Sequence, residues 1–290
     1  MAHSFTATGV GALAADNATH RRVLVTGAAG RIGSYFAEQS QGKYDLRLMM
    51  RDGEGASHIE QYGKIASGDL LDLEGLKTLC EGIDTVVHMA GDPDPSATWQ
   101  SLLDANIIET YTIFVAAKAA GCRRVIHASS IHAVSGYASD VQVKTSEPVN
   151  PGDLYGVSKC FGEALGRYMA EKEELSVITI RIGAFQPVEK AKKAEGLDLL
   201  NAFVLHRDLN QLLNKCVDVE NLQFAILHGL SDNCFKRLDI SDARELVGYT
   251  PEDDATQLLP QLKNLKLSDT LQSHSAIVDG QKSGLRDELK

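Results

Sequence analysis

Tyr155 and Lys159 stand four residues apart in the string LYGVSK. On a helix that spacing puts a phenol and an ammonium on one face. The ammonium is expected to lower the phenol's pKa, so that a phenolate forms nearer to neutral pH. Such a tyrosine can take the proton of an alcohol while hydride leaves the same carbon. The lysine has a second use, as a donor to a ribose. About 25 residues upstream, Ser129 and Ser130 follow directly on the apolar run VIHA at 125–128. A strand ending there sets a hydroxyl at the crevice where open parallel sheets bind their ligands. An ordinary surface helix can also carry a Tyr-x-x-x-Lys pair. The serines upstream and a glycine-rich turn near the start of the chain give this one its weight.

That turn is Thr26-Gly27-Ala28-Ala29-Gly30-Arg31-Ile32-Gly33, between the apolar run RVLVT and a helix-like stretch at 32–39. Gly27, Gly30 and Gly33 permit a tight turn and a close approach of backbone to a pyrophosphate. The following helix contributes free amides and the positive end of its dipole. The next strand candidate ends in Met49-Met50-Arg51-Asp52. Arg51 can fork onto a 2′-phosphate, which favours NADP. Asp52 is the fallback contact for an unphosphorylated ribose, with NAD as the alternative cofactor.

These residues need a frame, and the pattern predicts one. Strand-like runs at 22–26, 46–50, 85–89, 125–128, 177–182 and 224–227 alternate with helix-like stretches, including 103–119 and 155–171. Such alternation indicates βαβ units. The expected fold is a Rossmann-type, doubly wound parallel sheet of about seven strands with a small C-terminal region covering the substrate. Residues 1–20 read as a disordered extension, 21–186 as the dinucleotide-binding core, 187–267 as the substrate region, and 268–290 as a polar tail. The run at 223–228 is expected to return to the core sheet.

The net charge of −10 argues against nucleic acid as a partner. No apolar run is long enough to span a bilayer, and the first twenty residues lack the plan of a signal peptide. Five cysteines without a C-x-x-C pair or zinc-ligand spacing read as reduced thiols, with no metal site and a cytoplasmic location.

The glycine turn, HMAG at 88–91, Asn106 in DANI, ASS at 128–130 and LYGVSK together resemble an extended short-chain dehydrogenase/reductase, over about residues 22–254. Within that superfamily, ASSIH, LYGVSKCFGE, VITIRIGA, LHRDL and the Gly248-Tyr249-Thr250-Pro251 string are most similar to the hexuronate and related sugar dehydrogenases. The resemblance implies oxidation of a sugar's anomeric carbon to a lactone with a nicotinamide cofactor. It implies Tyr155 as general base, Lys159 as its partner, Ser130 on the reacting oxygen and Asn106 as support for the active-site helix. It implies cofactor contacts from Ala29, Arg31, Ile32, Asp69, Leu70, Ala90, Gly91 and Ile182, with Asp69 at the adenine. His132 would face the substrate, and Lys193, beside Lys190 and Lys192, is a candidate partner for a uronate carboxylate. A homodimer through the helices at 103–119 and 155–171 is implied as well.

Ile131 departs from the pattern, because it offers no hydrogen bond where hexuronate dehydrogenases tend to carry Asn. The loop DPDPSATW after HMAG departs too. Two other readings stay open at this point. A sugar-nucleotide epimerase or dehydratase would use the same Tyr155 and Lys159 and return the hydride. A dinucleotide-sensing module would bind without turnover.

Overall fold

Val23 and Val25 of RVLVT point to one side of a sheet and Leu24 to the other, and all three are fully buried. A strand covered on both faces belongs inside a parallel sheet. The computed structural model describes residues 20–51, 53, 55–187, 189 and 201–258. In chain order the core elements are β1 (Arg22–Thr26), α1 (Arg31–Gln39), β2 (Asp45–Met50), β3 (Lys64–Ser67), α2 (Leu73–Cys80) and β4 (Thr85–His88). After them come α3 (Trp99–Leu102), a π-helical turn at Leu103–Ile108, α4 (Glu109–Ala119) and β5 (Arg124–Ser130). A 3-10 turn at Ile131–Val134, α5 (Leu154–Lys172) and β6 (Ser176–Ile182) complete the half that carries the tyrosine.

The seven strands run in the order β3-β2-β1-β4-β5-β6-β9, where β9 spans Phe224–Gly229, and every adjacent pair is parallel. The chain winds outward from β1 to β3, then returns to β4 and winds the other way. The switch point lies between β1 and β4, so the ligand crevice opens beyond their carboxyl ends. The fold is the expected doubly wound Rossmann-type sheet of seven strands with helices on both faces.

Register explains the two cores. Leu24, Val86, Val125 and Val177 are cross-strand neighbours and pack with Leu76, Ile113, Phe114 and Met169 of α2, α4 and α5. The alternate row, Val25, Val87, Ile126 and Ile178, packs on the other face with Phe36 of α1. That second core also takes Leu209, Leu212 and Cys216 of α6 (His206–Asp218) and Val247 of α7 (Ser241–Val247). The described C-terminal residues thus share the main core. A short parallel pair, β7 (Ala184–Phe185) with β8 (Phe203–Val204), joins the end of β6 to this region. The buried Arg124 guanidinium meets the Cys216 carbonyl at 2.8 Å, where a helix terminus favours positive charge.

One local expectation changes, and one strand is added. The stretch 103–119 is not one regular helix, because six of its residues form the π turn. The edge strand β3 arises from KIAS, too short and too mixed to be recognised as a strand. No helix among the described residues is long and apolar enough to cross a membrane. The extension at 1–19, Asp52, Lys190, Lys192, Lys193 and the tail at 268–290 lie outside the described residues.

Candidate active site

Ser130 ends β5 at the crevice, and its Oγ accepts the His132 N–H at 3.2 Å to cap the 3-10 turn. Ser129 is differently employed. Its hydroxyl donates to Glu163 Oε1 at 2.7 Å, and Glu163 is held by two bonds from the buried Arg181 at 2.9 and 2.8 Å. Ser129 therefore belongs to a buried ion-pair network.

Asp153 caps α5, and its Oδ1 accepts the Gly156 N–H at 2.7 Å. Tyr155 and Lys159 then lie one turn apart, with Lys159 Nζ 5.5 Å from the centre of the phenol ring. Ser130, His132, Tyr155 and Lys159 line one cavity of about 270 Å³, together with Arg31, Ala90, Gly91 and Ile182. The side chains singled out for chemistry do converge.

Their electrostatics run against one expectation. Burial pushes the Tyr155 phenol up to about 12, with the Ser130 hydroxyl pulling the other way and Asp153 and Asp92 adding to the rise. Burial brings the Lys159 ammonium down to about 8, against the attraction of Asp92. In the protein alone the phenol is harder to ionise, because a phenolate in a dry pocket loses its hydration.

Asn106 sits on the π turn, with 2% of its surface exposed. Its Oδ1 accepts the Asp92 N–H at 2.9 Å, and its Nδ2 donates to Asp92 O at 3.1 Å and Ser158 Oγ at 3.0 Å. It thereby ties the loop after β4 to α5. Gly91 adopts φ +144, and a Cβ there would stand 2.7 Å from Asn106 Oδ1 and 3.3 Å from Lys159 Nζ. Only glycine fits between those two groups.

A second cleft adjoins the first through Met89, Ala90 and Gly91 and is lined by Gly27, Ala29, Gly30, Arg51 and Leu70. Gly27 has φ +67, and a Cβ there would meet Ala90 N at 2.7 Å. Gly33 lets α1 close onto the turn, since its Cβ would lie 2.3 Å from Gly27 O. The α1 N-terminus has no side-chain cap and no acidic residue in its first turn. Uncapped amides and a glycine floor are what a dinucleotide pyrophosphate needs, so the residues fit that group. Leu70 lines this cleft, while the exposed Asp69 at its edge accepts the Leu71 N–H at 2.9 Å.

Arg51 lines the cleft but shares its charge. Its Nη2 donates to Glu109 Oε1 at 2.7 Å. Glu109 is buried, its Oε2 has no partner, and burial pushes its carboxyl up against the pull of Arg51. Nothing local in the sequence points to Glu109, which lies 58 residues from Arg51. Asp153 does carry a local signal, because an Asp three residues before a helical N–H is a capping residue.

Comparisons with known proteins show the family. The model of the NAD dependent epimerase/dehydratase family matches residues 23–186. The chain is 32% identical to an NAD-dependent glucose-6-phosphate dehydrogenase of Haloferax volcanii, over 81% of this chain and 94% of that protein. It is 31% identical to an L-arabinose 1-dehydrogenase (NAD(P)(+)) of the same organism, over 82% and 99%. A crystal structure of a uronate dehydrogenase mutant from Agrobacterium tumefaciens, complexed with NAD, superposes with a TM-score of 0.73 at 28% identity, covering 87% of this chain and 90% of that one. With a matching family model over more than half its length and a relative 32% identical over 81% of it, the chain belongs to the NAD dependent epimerase/dehydratase family.

Proposed function

We propose that the chain is an NAD(P)-dependent dehydrogenase that oxidises the anomeric hydroxyl of a sugar to a lactone. The observation that carries this reading is the convergence of Ser130, Tyr155 and Lys159 on one cavity that adjoins the glycine cradle at Ala90–Gly91. The relatives support it. Glucose 6-phosphate, arabinose and a uronate differ at the far end of the sugar and share the anomeric hydroxyl.

In this reading Ser130 donates to the reacting oxygen and Tyr155 takes its proton. Lys159 keeps a positive charge beside the phenol below about pH 8 and holds the nicotinamide ribose. A bound oxidised nicotinamide would supply the hydride acceptor and a positive charge in the cavity that Tyr155 lines. Such a charge would oppose the burial that pushes Tyr155 up to about 12. Gly27, Gly30 and Gly33 with the start of α1 cradle the pyrophosphate, flanked by Ala29, Arg31 and Ile32. Ala90, Gly91 and Ile182 flank the ribose and nicotinamide, and Asp69 and Leu70 border the adenine. Asn106 braces α5. Arg51 is the group that meets a 2′-phosphate in NADP, and Glu109, which holds one edge of it, weakens that contact and leaves room for NAD.

The test is a screen of aldoses, uronates and sugar phosphates with each cofactor, read as absorbance of reduced nicotinamide. Reduced cofactor is expected in proportion to sugar consumed. Tyr155→Phe is expected to lower kcat by about 10²–10⁴ while cofactor binding survives. Near-normal turnover in that variant rejects the role of Tyr155. Sugar conversion with no net cofactor reduction replaces the reading with epimerase chemistry.

A further inference from the structure

His132 and Asp153 form a pair that neither the proton transfer at Tyr155 nor the cofactor cradle uses. His132 Nδ1 lies 2.7 Å from Asp153 Oδ2; the carboxylate side chain is fully covered, while the imidazole keeps 14% exposure. The other carboxylate oxygen, Oδ1, is committed to the Gly156 N–H at the start of α5. A Cβ on Gly156 would stand 2.3 Å from His132 O, so the helix start and the turn carrying His132 touch backbone to backbone. Ser130 Oγ holds the His132 N–H. The imidazole meets the Tyr155 ring edge-on, with centroids 5.2 Å apart. The position of this ring relative to the phenol is therefore set from four sides.

A carboxylate only accepts hydrogen bonds, so Nδ1 carries the proton and a neutral ring leaves Nε2 as a bare acceptor. Nε2 makes no hydrogen bond to another described residue, and the ring lines the cavity. We infer that Asp153 is a positioning residue: it holds His132, which the family resemblance already turns towards the substrate, in the Nδ1–H form, so that Nε2 meets a substrate hydroxyl as an acceptor. The inference rests on the dehydrogenase reading above. It also limits where charge can sit. A lone pair at Nε2 repels a carboxylate or phosphate, so the charged end of a charged sugar lies elsewhere in the cavity.

The separate duties of the two Asp153 oxygens make the test selective. In Asp153→Asn the single amide oxygen is needed for the cap, so the NH₂ faces Nδ1, donates to it and moves the ring proton to Nε2. In Asp153→Ser the hydroxyl still caps α5 but is too short to reach the imidazole. Histidine-labelled ¹⁵N NMR, assigned with His132→Gln, is expected to show Nδ1–H in the wild type and Nε2–H in Asp153→Asn. Glucose 6-phosphate, L-arabinose and D-glucuronate serve as probe sugars. For the best of them, both Asp153 variants are expected to lose about tenfold or more in kcat/KM, mainly through KM, while the cofactor Kd stays unchanged. His132→Gln, which keeps an acceptor, is expected to retain more activity than His132→Leu. An Nε2–H tautomer in the wild type, or Asp153→Asn with unchanged kcat/KM, overturns the inference. If no sugar of the full screen gives reduced cofactor with the wild type, the dehydrogenase reading falls and takes the substrate contact with it. The tautomer measurement still decides whether Asp153 sets the ring.

Discussion

Lys159 is a charge held in a dry place, and its cost can be measured. Burial brings it to about 8 from an ordinary 10.5. Below about pH 8 the lysine is charged in both the folded and the unfolded chain, and the folded state carries the penalty. Between about 8 and 10.5 the folded chain releases the proton first, so this group's contribution to stability rises with pH. Lys159→Met is therefore expected to be more stable than the wild type at pH 7, by up to about 3 kcal/mol. The gap should shrink as pH rises through that window, as followed by thermal melts, and a gap independent of pH would contradict the burial argument. The Arg51–Glu109 pair makes the second residue-scale prediction. Glu109→Gln keeps a hydrogen-bonding side chain and removes the charge facing Arg51. It is expected to raise affinity for NADP relative to NAD by about threefold or more, a modest figure because the Arg51 side chain is 59% exposed. Cofactor titrations by fluorescence check this, and an unchanged ratio would remove Glu109 from cofactor choice.

At the scale of elements, the π turn at Leu103–Ile108 is the feature that matters most for the site. A π turn holds one residue more than the regular helix would, and such turns recur at functional sites. Here it carries Asn106 to both backbone polar groups of Asp92 and to Ser158 on α5. Deleting Ala105 is expected to restore a regular helix, swing Asn106 off that position and abolish most activity, with the far-ultraviolet circular dichroism of a folded chain retained. Asn106→Ala is expected to cost about 1–3 kcal/mol of stability, since the buried groups it serves lose their partner. Full activity in the deletion variant would show that the turn is incidental.

Across the whole molecule, α4 and α5 leave an apolar face open. Tyr111, Val157 and Tyr168 are exposed there, beside Ile108 at the end of the π turn. Large apolar side chains grouped on neighbouring helices favour contact with another surface. A homodimer sealed by this face is the expected state, and the double variant Tyr111→Glu, Val157→Glu is expected to be monomeric by light scattering. A wild type that is monomeric at micromolar concentration would count against it.

The architecture and the candidate reactive pair were legible because they are written at short range. Alternating strand and helix lengths, a glycine turn between RVLVT and α1, and a phenol and ammonium one turn apart are properties of single elements, whose periods of 2 and 3.6 residues show in the chain itself. Tertiary structure decided what joins distant positions. It paired Arg51 with Glu109, bound Ser129 to Glu163 and Arg181, and gave Asp153 both a helix cap and a histidine. It also reversed the expected sign at Tyr155. Spacing along α5 records a neighbouring ammonium, whereas the dominant influence is burial, which depends on every element packed around the phenol. The π turn escaped for a related reason: the apolar pattern of 103–119 suits a regular helix, and the additional residue is held by Asn106 contacts that exist only once β4 and α5 are in place.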